Sequence, residues 1–329
     1  MSAVVLGLVT LAAHAGLGLQ RIITLPEIRG QLGGLALDRV HQRVFVAATG
    51  SGGLLAVDVH SGEIVDQVTG LERPRTVVYL PDNRLAVSDS SSGVIGLYDA
   101  NTLNLQSSLI VGQRAGALCS DDAAGQLYFG YGRGSQHDIA VLNDRGKLRA
   151  QLPAPGIPRG LVLDPVTHRL YAGFSELNAV VVFDVARQSR IATWTLDAPA
   201  AATFPMALDE AGNRLFVGGR SGDQIAVIDT QTGRLLQNIP APGDAATLDF
   251  DSEHRELYVP GGIGQLAVYK EDNRGLLHEV ERIPTRHGAR NGLLDPESGR
   301  YYLAVPAFAG KPAEVRVYLI VEPSGGEGS

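Results

Sequence analysis

Cysteine is nearly absent from this sequence, and the side chains that bind metals are scattered. The 329 residues contain one cysteine, Cys119, so an intramolecular disulfide is excluded, and no Cys-x-x-Cys-His sequence is present to attach haem. Cys119 lies among apolar residues and is predicted to be a small buried hydrophobic side chain. The eight histidines include no pair at metal-ligand spacing, and no Gly-x-Ser-x-Gly motif occurs. The sequence therefore predicts no catalytic residue, no metal and no cofactor.

Excess positive charge and long apolar runs are also missing. The formal net charge is -7 with only three lysines, which argues against a nucleic-acid partner. The mostly apolar stretch from Ala3 to Ala13 is shorter than the roughly 20 residues that a spanning helix needs. Mean hydropathy is +0.04, near the balance point. We therefore expect no membrane span.

No amphipathic stretch of helical period exceeds a turn or two; a repeated strand pattern is present instead. Its core strand occurs seven times at intervals of 41 to 45 residues, starting at Arg43, Arg84, Gln126, Arg169, Arg214, Glu256 and Arg300. This interval is typical of a propeller blade of four strands. The 40 glycines and 17 prolines fit a chain with many turns. The sequence predicts an all-β, seven-bladed propeller with four antiparallel strands in each blade.

Each copy of the core strand has companions in a constant order. An inner strand such as Leu161-Val-Leu-Asp164 precedes it, and a third strand such as Ala226-Val-Ile-Asp229 follows it. Aspartate at the end of a strand is a turn residue, because its carboxylate accepts backbone N–H groups a little further along the chain. The strands are continuous apolar runs, which indicates that both faces of each sheet are covered, as they are between neighbouring blades.

The two chain ends complete one blade. The last blade lacks a fourth strand, and Arg21-Ile-Ile-Thr-Leu-Pro26 resembles the fourth strands of other blades. We expect residues 20–26 to pair with the strand at 314–319 and to close the ring, which removes an exposed sheet edge. The predicted boundaries are 1–16 for a possible signal peptide, 17–322 for the propeller and 323–329 for a disordered tail.

The first residues resemble an export signal in part. Ala13-His14-Ala15 follows the apolar stretch and has the small-x-small pattern of a cleavage site, although no Lys or Arg precedes the stretch. The alternative is an apolar chain end without a signal. The pattern favours a periplasmic or secreted protein whose mature chain begins at or near Gly16.

The repeated Leu-Tyr-Val-Gly, Ile-Ala-Val-Ile-Asp and Thr-Gly elements resemble those of the YVTN-repeat family of seven-bladed β-propellers, which are related to NHL and WD40 propellers. The resemblance spans about residues 20 to 320. It implies the fold; for function it implies an exported protein, a lactonase or a subunit of a quinone-dependent dehydrogenase. The sequence departs from the pattern at Tyr269-Lys-Glu-Asp272 and in the long loop from Asp197 to Pro205.

The loops that lead into the inner strands surround one end of the central channel, a common place for ligands. Aligning the blades predicts a site at this end, formed by Arg75, Arg114, Arg159, Phe204, Asp244 and Arg290. Converging arginines would hold a carboxylate or phosphate through paired hydrogen bonds. The alternative is that each arginine bonds loop carbonyls of the neighbouring blade and fastens the ring.

These observations predict a non-catalytic, exported binding or scaffold protein with a small anionic ligand or a protein partner at the channel mouth. The alternative function is a lactonase-like hydrolase, or the propeller subunit of a quinone-dependent dehydrogenase. A lactonase should show acidic or histidine side chains around the mouth, where Asp244 and His287 are the candidates.

Overall fold

The structure, a computed structural model, describes residues 16–112, 114–196, 205–219 and 223–321. These residues form 28 β-strands and one short 3-10 helix, Pro296–Ser298. The strands make seven separate four-stranded antiparallel sheets, and in six of them the four strands follow one another along the chain. The predicted all-β, seven-bladed propeller is confirmed.

The first four blades occupy the N-terminal half of the chain. Blade 1 comprises β2 (Leu35–Asp38), β3 (Arg43–Ala48), β4 (Gly53–Asp58) and β5 (Ile64–Thr69). Blade 2 comprises β6 (Pro74–Leu80), β7 (Arg84–Asp89), β8 (Val94–Asp99) and β9 (Leu105–Ile110). Blade 3 comprises β10 (Arg114–Asp121), β11 (Gln126–Arg133), β12 (Gln136–Asn143) and β13 (Leu148–Pro153). Blade 4 comprises β14 (Gly160–Asp164), β15 (Arg169–Phe174), β16 (Ala179–Asp184) and β17 (Ser189–Thr195).

The remaining three blades complete the ring. Blade 5 comprises β18 (Met206–Asp209), β19 (Arg214–Gly218), β20 (Gln224–Asp229) and β21 (Leu235–Pro240). Blade 6 comprises β22 (Asp249–Asp251), β23 (Glu256–Gly261), β24 (Gln265–Glu271) and β25 (Leu277–Pro284). Blade 7 comprises β26 (Asn291–Asp295), β27 (Arg300–Val305), β28 (Ala313–Val321) and the N-terminal strand β1 (Gly16–Leu25).

The N-terminal strand closes the ring, as predicted. Gly16 pairs with Val321 and Leu25 pairs with Ala313 in an antiparallel ladder. The pairing is longer than the predicted 20–26 with 314–319, because the chain remains extended on the N-terminal side as far as Gly16. Its apolar side chains Ile23 and Leu25 enter a core shared with blade 1.

The core lies between blades. Among the described residues, seven apolar clusters each join one blade to the next. The middle strands are buried on both faces, as in Arg169–Phe174, whereas outer strands such as Ile64–Thr69 are largely exposed. The continuous apolar runs of the sequence therefore reflect two-sided burial between blades.

The aspartates at strand ends form the predicted turns. At the inner strands, the Asp164 carboxylate accepts the backbone N–H of Thr167 at 3.0 Å. At the third strands, Asp229 accepts the N–H of Thr232 at 2.8 Å. These turns lie at the end of the ring opposite to the loops that lead into the inner strands, because successive antiparallel strands reverse direction.

The arginine that begins several core strands fastens neighbouring blades at this opposite end. Arg84 donates to the carbonyl of Asp144 in blade 3, and Arg169 donates to the carbonyl of Thr230 in blade 5 at 2.9 Å. Arg214 of blade 5 forms a 2.5 Å ion pair with Glu271 of blade 6, whose side chain is buried. The repeat pattern alone indicates no role for this arginine.

Candidate functional site

The mouth of the channel is formed by loops of two kinds. The loops that lead into the inner strands and the loops that join second to third strands lie at the same end, because two antiparallel strands separate them. Residues of both kinds from blades 1, 2, 6 and 7 line a cavity of about 180 Å³, which we call the mouth cavity. It is lined by Gln31, Leu32, Gly33, Thr49, Arg73, Arg75, Ser90, Ala246, Arg290 and Asn291.

Among the described residues, three arginines and no acidic residue line the mouth cavity. Two of them, Arg75 and Arg290, are among the predicted site residues, and the repeat alignment places them at equivalent positions. The third, Arg73, was not predicted. Arg73 lies four residues before Val77, an apolar residue of the inner strand. Arg114 and Asp244 lie at the same repeat position in their own blades, so the repeat alignment could have identified Arg73.

Arg73 is the most available cation of the mouth cavity. Its guanidinium is exposed and makes no hydrogen bond or ion pair with the residues that the structure describes. Its backbone is nevertheless fixed, because its N–H group donates to the Asp89 carboxylate at 3.1 Å. A fixed backbone with an unpaired charge is suited to receive an anion.

Asp89 organises both loops around Arg73. Its second oxygen accepts the N–H groups of Ser91 and Ser92 at 3.0 and 3.2 Å. Burial would raise the pKa of the Asp89 carboxyl, but the backbone N–H groups of both loops outweigh burial and lower this pKa below its ordinary value. The carboxylate therefore stays ionised and holds the loops together at neutral pH.

Arg290 bridges blades 6 and 7 at the mouth. Its Nη1 lies 2.9 and 3.0 Å from the two oxygens of Asp244. No bond from its Nη2 or Nε to another described residue is present, so part of the guanidinium still faces the cavity. Asp244 itself has a positive φ of 61° in the loop before β22. The pair places a carboxylate beside the cavity and reduces the local charge.

Arg75 contacts blade 1 through its backbone. Its carbonyl accepts the N–H of Gly34 at 2.7 Å. A Cβ atom on the preceding Gly33 would approach this carbonyl oxygen to 2.5 Å, so glycine is required for the two loops to come so close. This approach brings Arg75 against the blade 1 wall of the cavity.

The other predicted residues lie elsewhere on the ring. Arg159 is half-buried in blade 4, with its Nη2 3.9 Å from an exposed Glu176 carboxylate. Arg114 is exposed at the start of β10 in blade 3, and its side chain makes no hydrogen bond or ion pair with the described residues. Neither lines the mouth cavity. Phe204 lies outside the described residues.

Hydroxyl and amide groups shape the rest of the mouth cavity. Thr49 donates to the carbonyl of Pro74 at 2.6 Å, and Asn291 donates to the carbonyl of Leu32 at 3.0 Å. Both bonds join neighbouring blades. They hold the loops in place before any ligand arrives, which favours affinity because less is lost to ordering.

The described part of the chain holds no group of three or more His, Cys, Asp or Glu side chains placed to bind a metal. Burial and the nearby Asp121 raise the pKa of the Cys119 thiol to about 12, so it stays protonated and packs with the apolar core of blades 3 and 4. No described helix is long and apolar enough to span a bilayer.

The fold and the site define a seven-bladed β-propeller with a cationic cavity at its mouth. No family model matches the chain. Over 146 residues, 43% of its length, the chain is 29% identical to "Uncharacterized protein YncE" of Salmonella typhimurium and 28% identical to the protein of that name from Salmonella typhi. The match covers 40% of each of these relatives.

Solved structures extend the likeness over nearly the whole chain. A chain in the crystal structure of a mitotic checkpoint complex has a TM-score of 0.77 and 17% identity, over 98% of this chain and 100% of that one. A chain of Kuenenia stuttgartiensis hydrazine synthase has a TM-score of 0.75 and 15% identity, over 88% and 97%. At these identities the likeness shows the fold alone.

Proposed function

We propose that this propeller is a non-catalytic binding or scaffold protein that holds an anionic group in the mouth cavity. The observation that carries the proposal is the cavity lined by three arginines and, among the described residues, by no acidic one, in a chain whose net charge is -7. Guanidinium groups suit carboxylate and phosphate because their N–H donors match pairs of oxygens. The pre-fixed loops and the unpaired Arg73 add to this support.

The proposal includes membership of the YVTN-repeat propellers. It is supported by seven copies of the repeat and by the partial match to YncE. Because that relative is itself uncharacterised, it suggests a fold and a lineage but no activity.

Export to the periplasm or the cell exterior is part of the same proposal. Its support is Ala13-His14-Ala15 after the apolar stretch, and cleavage there would leave the described part of β1, Gly16–Leu25, in the mature protein. We expect N-terminal sequencing of protein from its own cells to begin at or near Gly16. An intact Met1 in the cytoplasmic fraction would contradict export.

The anion proposal predicts that Arg73→Ala weakens binding without harming the fold. We expect thermal melts and titration calorimetry of the parent protein with inorganic phosphate, citrate and succinate to reveal a ligand. Loss of charge-assisted bonds, each contributing about 1.5 to 3 kcal/mol, should lower its affinity roughly tenfold or more. Affinity should also fall as salt rises. Arg73 is preferable to Arg290, whose removal would leave the Asp244 carboxylate at the mouth.

The matched control is Arg114→Ala, which removes an exposed arginine from the equivalent repeat position of blade 3, where its side chain has no partner among the described residues. It changes net charge equally but lies away from the mouth cavity. Equal loss of affinity in the two variants would show that overall charge, not this cavity, determines binding. A parent protein whose melt no anion shifts would reject the proposal.

A further inference from the structure

A second cavity adjoins the mouth cavity. It has a volume of about 480 Å³, and we call it the side cavity. One wall is the loop that follows β1, and the other is the loop between β27 and β28. The lining residues are Pro26, Arg29 and Gly30 from the first loop and residues 307–312 from the second. In the part of the chain that the structure describes, its cations are Arg29 and Lys311, and no acidic residue lines it.

The wall from blade 7 is a rigid hairpin tip. Phe308 and Lys311 exchange backbone hydrogen bonds at 3.1 and 3.0 Å. The two residues between them, Ala309 and Gly310, both have positive φ, as in a type I′ turn. Arg286 secures the base of this loop by donating to the carbonyl of Pro312 at 2.6 Å. The hairpin therefore presents its side chains in a fixed position.

Phe308 is an exposed aromatic residue at this tip. Half of it is accessible, and its ring packs against His287 at a centroid distance of 5.2 Å. The ring lines the side cavity together with Pro26 and Pro312. A rigid, exposed aromatic side chain beside cations is typical of the residues that dominate protein interfaces.

The wall from the N-terminal side is also fixed. The Ser51 hydroxyl accepts the N–H of Arg29 at 2.9 Å and donates to its carbonyl at 3.0 Å. A Cβ on Gly50 would come within 2.6 Å of the Arg29 carbonyl oxygen, so only glycine permits this contact. Both walls of the side cavity are thus preformed.

The two cavities share this loop. Gly30 lines the side cavity and Gln31 lines the mouth cavity, and consecutive Cα atoms are about 3.8 Å apart. Because the two cavities have this loop in common, a short extended segment laid across it, advancing about 3.3 Å per residue, would contact both. Five described cations border the pair of cavities: Arg29, Arg73, Arg75, Arg290 and Lys311.

We propose that the two cavities form one site for an acidic peptide segment of a protein partner. A carboxylate of the segment binds the arginines of the mouth cavity, and an apolar side chain one to three residues away packs against Phe308. This inference rests on the proposed anion site and names its ligand class. Charge complementarity supports it, because the described residues that line the two cavities include arginine and lysine but no aspartate or glutamate. Binding of a small anion in the mouth cavity would not by itself account for the exposed aromatic side chain of Phe308 in the side cavity.

The experiment measures binding of four labelled six-residue peptides by fluorescence anisotropy. Each contains an Asp-Glu pair and one Leu or one Phe, placed either one or three residues before the pair. Each peptide has two matched control peptides. In one the apolar residue is replaced by Ser, and in the other the Asp-Glu pair is replaced by Asn-Gln. Protein variants are Phe308→Ser in the side cavity, Arg73→Ala in the mouth cavity and Ile263→Ser as control. Ile263 is equally exposed, at the tip of the corresponding loop of blade 6.

We expect at least one acidic-apolar peptide to bind at least tenfold more tightly than its Ser counterpart and its Asn-Gln counterpart. Phe308→Ser should abolish the tighter binding of this peptide relative to its Ser counterpart and leave citrate binding unchanged. Arg73→Ala should weaken the binding of both the peptide and citrate. Ile263→Ser should change neither. If citrate binds and depends on Arg73, but no peptide exceeds its Ser counterpart, the peptide site is overturned and the anion site stands. If neither citrate nor any peptide binds, both proposals fail.

Discussion

Leu25→Asp should unfold the protein at room temperature, whereas Leu19→Asp on the same strand should leave it folded. Leu25 is fully buried in the core between blades 7 and 1, and Leu19 is 52% exposed. An unpaired carboxylate in an apolar core costs several kcal/mol, a large part of the 5 to 15 kcal/mol typical of a whole domain. Because β1 supplies the fourth strand of blade 7, losing its core contact opens the ring.

Circular dichroism melts of the two variants, and of a chain lacking residues 1–27, will check this prediction. The Leu19→Asp protein controls for the added charge and for its position in β1. We expect the truncated chain to behave as Leu25→Asp does, and removal of residues 323–329 to have little effect. Melting temperatures that match the parent in both Leu25→Asp and the truncation would show that six complete blades and a three-stranded one suffice.

Arg214→Ala should lower the free energy of unfolding by about 3 kcal/mol, since it leaves a buried carboxylate with one cation fewer. Glu271 is 1% exposed at its side chain, with Arg214 at 2.5 Å from one oxygen and Arg255 at 3.1 Å from the other. Arg255 still pairs with Glu271 in the variant and limits the loss of stability. The effect should appear in urea unfolding as a lower midpoint with an unchanged slope.

Two further variants give this prediction its controls. Arg187→Ala breaks an ion pair with Asp184 in which the arginine is 80% exposed, and exposed pairs contribute about 0 to 1 kcal/mol, so little should change. The double variant Arg214→Met/Glu271→Leu removes both charges of the pair and should recover part of the lost stability, because the buried Asp209 carboxylate, 3.6 Å from Arg214, still loses this cation. An Arg214→Ala protein as stable as Arg187→Ala would show that the contact between blades 5 and 6 does not depend on this pair.

The period of the sequence was sufficient to predict the fold. Each blade repeats the same run of apolar strands and aspartate turns, so errors in one copy are corrected by the others. The missing fourth strand of blade 7 predicted its replacement by the N-terminal segment, and the ladder from Gly16 to Leu25 confirms it. Only the length of the pairing differed, because strand ends depend on local backbone geometry that composition does not specify.

The candidate site was less accessible to sequence reasoning. Aligned positions indicate which end of the ring a residue occupies, but which residues share a cavity depends on loop lengths and on neighbouring blades. The repeat alignment therefore identified Arg75 and Arg290 as site residues but did not show that they line the same cavity as Arg73. The Arg290–Asp244 pair joins residues 46 positions apart, a contact that no local pattern indicates. The prediction that Arg159 and Arg114 belong to the site remains untested.

The position of β1 determines when the ring can be finished during synthesis. Gly16 and its partner Val321 are 305 residues apart, and ribosomes add about 5 to 20 residues per second, so the first strand waits roughly 15 to 60 seconds for β28. Bringing such distant ends together costs roughly 5 kcal/mol of chain entropy, which the ladder and the core around Ile23 must exceed. Until then the apolar side of β1 stays exposed in the nascent chain, where chaperone binding would prevent its aggregation.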